Sequence, residues 1–284
     1  MGRFAPSPSG PLHLGSLYTA LASFLDAKAH HGNWILRIDD LDAPRNVNGA
    51  VESIIETLQV HGLNWHGSIY YQSQNLEVYK TIISKLTQHA LVYPCTCTRK
   101  ALAEFSVYPG ICRKTKNNNN PHSLRIKSDN TAITFDDELQ GSLNHNIASQ
   151  HGDFIIKRKD NITAYQLAVV IDDYQQKISH VIRGYDLLDS TPKQIYLQTL
   201  LGYPTPNYCH IPVITDQKGD KLSKQTFAEK VSTKKPQKTL YLLLELLKQN
   251  PPHQLKTASV QDILNWAAEH WNSQPLKKTR AIKY

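Results

Sequence analysis

The first forty residues limit the fold more than any other stretch. Arg3 to Ala5 reads as a short strand, and the PSPSGPLHLGS that follows packs three prolines and two glycines into a shaped loop. From Ser16 apolar residues recur at helical spacing, at Leu17, Tyr18, Leu21, Phe24 and Leu25, and Gly32 suits the helix stop. Trp34-Ile-Leu-Arg-Ile38 then reads as a buried strand. Strand, helix and strand make a βαβ unit. The expected fold is therefore α/β, a Rossmann-like doubly wound parallel sheet with its ligand at the strand ends.

Two more helices are expected near Gly49–Gly62 and Leu76–Ala90. Between Val92 and Gln150 the chain changes character. It holds three of the four cysteines, the Asn117–Asn120 run, read as a mobile loop tip, and short strand-like pieces such as Ser123–Lys127. We read residues 92–150 as a small α+β subdomain inserted between two halves of the sheet domain, 1–91 and 151–227. The second half has strand candidates at Phe154–Lys157, His180–Arg183 and Cys209–Ile214, and a helix from Ser190 to near Gly202. Residues 228–284 read as a helical unit, with helices over Thr239–Gln249 and Ser259–Trp271. In the second of these Ser259 and Asp262 stand in capping-box positions. No internal repeat is visible.

Hydrophobic residues at 40% and charged residues at 20% describe a globular chain. No apolar run approaches bilayer length, and the opening MGRFAPSPSG has no apolar signal core, so a cytoplasmic protein without a membrane partner is expected. The net charge of +8 is compatible with a polyanionic partner but equally with an ordinary basic protein. Cys95, Cys97 and Cys112 fall within eighteen residues. In a cytoplasmic chain such a cluster suggests a metal before disulfides. Cys209 stands apart and reads as a buried thiol.

Two motifs carry chemistry. His13-Leu-Gly-Ser16 places an imidazole and a glycine where a loop becomes a helix, and a helix N-terminus attracts phosphate. Gly219-Asp-Lys-Leu-Ser-Lys-Gln225 places Lys221 and Lys224 on a glycine loop that can close over phosphates. Alone, the first is more often structural and the second a solvated basic turn. Together, near opposite ends of an α/β unit and in this order, they resemble the "HIGH" and "KMSKS" signatures of the class I aminoacyl-tRNA synthetases. Gln225 departs from the usual serine.

The resemblance narrows to the glutamyl/glutaminyl branch. Arg3-Phe-Ala-Pro-Ser-Pro-Ser-Gly10 is similar to that branch's opening, and Arg37-Ile-Asp-Asp-Leu-Asp42 with Arg45 to its acidic strand-end motif. Asp39 stands where the branch usually has Glu and is one methylene shorter. Tyr165 and Arg183-Gly-Tyr-Asp186 fall where the branch binds its amino acid. The resemblance implies glutamate binding by Arg3, Phe4, Ala5, Pro6, Ser7, Asp39, Tyr165 and Arg183. It implies ATP binding by His13, Gly15, Ser16 and Lys224, catalysis by His13, Lys221 and Lys224, and Mg2+ on the ATP phosphates. The residue types suit glutamate, since arginines match carboxylates and an acid takes the ammonium.

Three thiolates leave one position of a tetrahedral zinc open. The nearby sequence offers His122. The resemblance offers Tyr108, because Cys-x-Cys followed by Tyr-x-x-x-Cys is similar to the zinc site of one subfamily. Three reduced, buried thiols are the bland alternative. About sixty residues follow the lysine motif, too few for large anticodon-reading domains. That shortness resembles stand-alone, monomeric paralogues of the catalytic core, which put glutamate on the queuosine wobble base of tRNA(Asp). A minimal glutamyl-tRNA synthetase, a non-catalytic tRNA-binding module and another nucleotidyl transferase of this fold are the alternatives.

Overall fold

The computed structural model describes residues 1–115, 121–220 and 230–284. Lys221, Lys224, Gln225 and the Asn117–Asn120 run lie outside these residues.

The expected βαβ unit is present. Strand β1 (Gly2–Phe4) leads through the proline loop to helix α1 (Leu14–Ala29), and β2 (Trp34–Ile38) returns parallel to β1, with Gly2 opposite Trp34 and Phe4 opposite Leu36. The apolar stripe of α1 is buried as its spacing requires. Its start lies earlier than Ser16, because the His13 imidazole serves as the cap and accepts the Ser16 amide at 3.2 Å. Its end is turned by His31, with φ of 51°, rather than by Gly32. Gly32 answers a different need. Its amide donates to the Ala27 carbonyl at 2.7 Å, and a Cβ there would sit 3.3 Å from that same oxygen.

Helix α2 (Ala50–Val60), strand β3 (Tyr70–Tyr71) and helix α3 (Leu76–Gln88) follow, with β3 parallel to β2. Strand β4 (Val92–Cys95) pairs antiparallel with β5 (Ser123–Ile126). The hairpin of β6 (Ala132–Asp137) and β7 (Gly141–Asn146) runs into the short helix α4 (Ile147–Gln150). Strand β8 (Ile155–Lys157) joins the free edge of β5. Helix α5 (Tyr165–Gln175), strand β9 (His180–Gly184), helix α6 (Thr191–Leu201) and strand β10 (Asn207–Ile211) continue the α/β pattern. Strand β10 pairs parallel with β9 on one side and with β6 on the other, Tyr208 facing Asp137. The hairpin thus extends the parallel sheet. Its alternating burial leaves Ile133, Phe135 and Asp137 on the inner face.

The amides of Ser179 and His180 donate to the Met1 carbonyl at 3.0 and 3.2 Å, so β1 and β9 lie side by side. The Cys209–Ile214 segment forms two strands rather than one. Pro212 has no N–H to continue the ladder, and β11 (Val213–Thr215) pairs instead with β12 (Ala281–Lys283).

Helices α7 (Pro236–Leu246) and α8 (Val260–Glu269) pack with α1 into one apolar core, while α3, α5 and α6 build a second. This double cover is what a parallel sheet requires. Ser259 caps α8, accepting the Asp262 amide at 3.1 Å and donating to its carboxylate at 2.7 Å. A Cβ on Gly62 would come within 2.8 Å of Val260 and Leu264, so α8 needs a glycine there to seat against α2. Among the described residues no helix is long and apolar enough to cross a membrane.

Candidate active site

Where β1 and β9 end side by side, the loops diverge and leave a cavity of about 650 Å³. One wall is the loop after β1, Arg3 to Ser7. A second is the first turn of α1, where His13, Gly15 and Ser16 bring helix-terminal amides to the cavity. Asp39 from the end of β2, Tyr165 at the start of α5 and Arg183 from β9 complete it. Every residue expected from sequence to touch glutamate or ATP, Lys224 aside, therefore faces one space. Asp220 also lines that space, and Lys230 pairs by its backbone with His13, itself a lining residue.

The two ends of the cavity differ electrically. Arg183 is 4% exposed, and its partners are all neutral. Its Nη1 donates to Gln194 at 2.8 Å and Tyr165 at 3.3 Å, its Nη2 to Thr191 at 2.7 Å, and its Nε to His210 at 2.9 Å. No carboxylate among the described residues lies within ion-pair distance. A buried guanidinium with no counter-ion favours an anion strongly, because little solvent screens it.

Arg3 and Arg37 stand differently. Both donate to Asp173, Arg37 at 2.6 Å and Arg3 at 3.2 Å, and Arg37 also donates to Asp39 at 2.8 Å. Burial disfavours the charge on Arg37, but Asp39, Asp173 and Asp172 outweigh it and hold the guanidinium firmly charged. At Asp39 the balance is reversed. Burial outweighs Arg37 and pushes the carboxyl up to about 6. Asp39 is thus a carboxyl whose charge burial disfavours and Arg37 supports. Behind it Asp172 accepts from Tyr70, Tyr79 and Gln72 at 2.7 to 3.0 Å and ties β3 and α3 to α5.

His13 is fixed by its own helix. Nδ1 accepts the Ser16 amide, which leaves the ring proton on Nε2, 2.9 Å from the Ser16 hydroxyl. Sequence reasoning missed Asp173, His210 and Asp137. A local signal existed for two of them. Asp172 and Asp173 interrupt an otherwise apolar helix, and His210 interrupts an apolar strand.

The second chemical centre lies past the end of β4. The sulfurs of Cys95, Cys97 and Cys112 lie within 4.8 Å of one another. The Tyr108 hydroxyl is 3.4 Å from the Cys95 sulfur and 3.8 Å from that of Cys97, and it accepts the Cys112 amide at 3.0 Å. Arg125 stacks on the Tyr108 ring at 3.8 Å. Three sulfurs and one oxygen around a common point fit a tetrahedral zinc. His122, the alternative from sequence, is not in this cluster. Next to it Arg113 and Tyr93 donate to the buried Asp153, which fastens the cysteine loop to the sheet of β4, β5 and β8.

Comparison with known proteins first gives the class. Residues 1–249 match the family described as tRNA synthetases class I (E and Q), catalytic domain. The fold agrees. The glutamate tRNA ligase of Elizabethkingia meningosepticum, solved in complex with its amino acid, superposes with a TM-score of 0.81 at 24% identity, covering 99% of this chain and 66% of that one. The chain is also 45% identical to the Glutamyl-Q tRNA(Asp) synthetase of Aromatoleum aromaticum, over 96% of this chain and 89% of the relative. To that of Methylococcus capsulatus it is again 45% identical, over 99% and 94%. The chain belongs to the Glutamyl-Q tRNA(Asp) synthetase family within the class I synthetases for glutamate and glutamine.

Proposed function

We propose that this chain activates L-glutamate with ATP as glutamyl-adenylate and transfers it to the queuosine wobble base of tRNA(Asp). The observation that carries the reading is Arg183, a buried cation with neutral partners, across one cavity from the buried carboxylate Asp39. A dianionic amino acid with one ammonium satisfies both ends. Arg183 and Tyr165 hold a carboxylate, Asp39 takes the ammonium, and Arg3, braced by Asp173, closes the pocket with Phe4, Ala5, Pro6 and Ser7.

The α-carboxylate then attacks the ATP α-phosphorus in line and pyrophosphate leaves. The nucleophile is already ionised, so the step needs no general base and depends on positioning and charge stabilisation. His13, Gly15 and Ser16 hold the phosphates at the N-terminus of α1, and Lys221 and Lys224 act on them with His13. Mg2+ accompanies ATP. A nucleophile on the RNA next attacks the mixed anhydride and AMP departs. Cys95, Cys97, Cys112 and Tyr108 hold one structural Zn2+, which fixes the loop they form. The enzyme works as a cytoplasmic monomer, with residues 1–91 and 151–227 as its catalytic halves, 92–150 inserted and 228–284 appended.

ATP–pyrophosphate exchange tests the activation step. Exchange should depend on glutamate, and Arg183→Ala should raise the glutamate KM at least tenfold while the ATP KM stays within about twofold. Exchange that proceeds without glutamate, or equal loss for both substrates, would refute the assignment.

A further inference from the structure

Arg183 does not hold itself in place. Its Nε donates to Nε2 of His210 at 2.9 Å, and the Thr191 hydroxyl lies 3.1 Å from the same nitrogen. A guanidinium nitrogen can only donate, so His210 Nε2 must accept and the ring proton must sit on Nδ1. Nδ1 faces Asp137 Oδ2 at 2.6 Å. Asp137 in turn accepts the backbone amides of Leu139, Gln140 and His210 at 2.9 to 3.1 Å. Neither side chain of the pair reaches solvent. The parallel pairing of β6 with β10 sets their meeting, since Tyr208 opposite Asp137 puts His210 two residues further along.

A tightly bonded pair at the core of a site has a consequence for charge. A carboxylate in the place of His210 would orient Arg183 equally well, but it would neutralise the guanidinium and compete with a bound carboxylate. A neutral imidazole orients without neutralising. Asp137 keeps it in the accepting tautomer, and its own charge is answered by His210 and the three amides. Burial works against that charge, yet the His210 and backbone bonds hold its carboxyl below the ordinary range. Burial and the nearby Arg183 charge keep the imidazole neutral despite Asp137 and Asp186.

We propose that His210, locked by Asp137, is a positioning residue that presents Arg183 to the cavity as an unneutralised cation and so sets the affinity for glutamate. This rests on the assignment of Arg183 to a glutamate carboxylate.

The test is glutamate-dependent ATP–pyrophosphate exchange by the full chain, comparing Asp137→Asn, His210→Gln and His210→Leu with Arg183→Ala. Asp137→Asn is isosteric. Its amide can donate to His210 Nδ1 and force the ring proton onto Nε2, against Arg183. The glutamate KM should rise about tenfold, the worth of one hydrogen bond to a charged group, with kcat at saturating glutamate and the ATP KM within about twofold. His210→Leu should behave likewise. His210→Gln should stay within about threefold of the parent, because its Oε1 can accept from Arg183 while its amide donates to Asp137. Thermal melting confirms that each variant is folded, and His210→Leu against His210→Gln decides the matter should Asp137→Asn not fold. A glutamate KM unmoved in Asp137→Asn and His210→Leu, while Arg183→Ala raises it, would overturn the positioning role alone. Arg183→Ala without effect would overturn the underlying assignment.

Discussion

Three arginines meet the cavity, and among the described residues only one is uncommitted to carboxylates. Arg3 and Arg37 are bound to Asp173, and Arg183 is held by neutral groups. That division gives each a role, two bracing the wall and one offering charge. Asp39 makes the complementary end, and its carboxyl, raised to about 6 by burial, predicts a pH dependence. An ammonium needs the ionised form, so glutamate affinity should be full well above pH 6 and decline as pH falls through it. We expect kcat/KM for glutamate to drop about tenfold per unit below that point, and the limb to vanish in Asp39→Asn, measured by exchange between pH 5 and 8. A profile flat down to pH 5 in the parent would contradict the role. That Arg183, Asp39 and Tyr165 line one cavity was legible only through the family resemblance, since each alone reads as an ordinary structural residue. Asp137 and His210 were not legible, because a single sequence does not say that residues so far apart in the chain will meet on neighbouring strands.

At the scale of elements, apolar spacing gave the helices well and their ends less well. The start of α1 moved because a histidine took the place of a usual cap, and its stop fell to His31 rather than Gly32. The break between β10 and β11 was marked by Pro212, whose missing N–H is a local property readable in advance. The partners of β6 were not readable, because edge pairing is decided by tertiary context. The cysteine loop is short of regular structure, and three sulfurs and the Tyr108 oxygen converge from separate residues on it. We expect about one zinc per chain by metal analysis. Cys112→Ser should lose most of the metal and lower the melting temperature, while Tyr108→Phe should retain more of it than Cys112→Ser. Full-length protein that melts unchanged after chelation and holds no zinc would remove the metal from the account.

For the whole molecule, the doubly wound sheet places β1 and β9 side by side and opens the cavity at their ends, which is where an α/β fold binds its ligand. The net charge of +8 suits an RNA partner without identifying one. The lysine motif, so informative in sequence, contributes here only through its flanks, since Asp220 lines the cavity and Lys230 pairs by its backbone with His13. Which RNA receives the glutamate is the central claim, and one measurement tests it most directly. Radiolabelled glutamate and ATP would be incubated with the protein and each of three RNAs: queuosine-containing tRNA(Asp), queuosine-free tRNA(Asp) and tRNA(Glu). Label on the first alone is the predicted result. Label on tRNA(Glu), or equal label on tRNA(Asp) with and without queuosine, would contradict it.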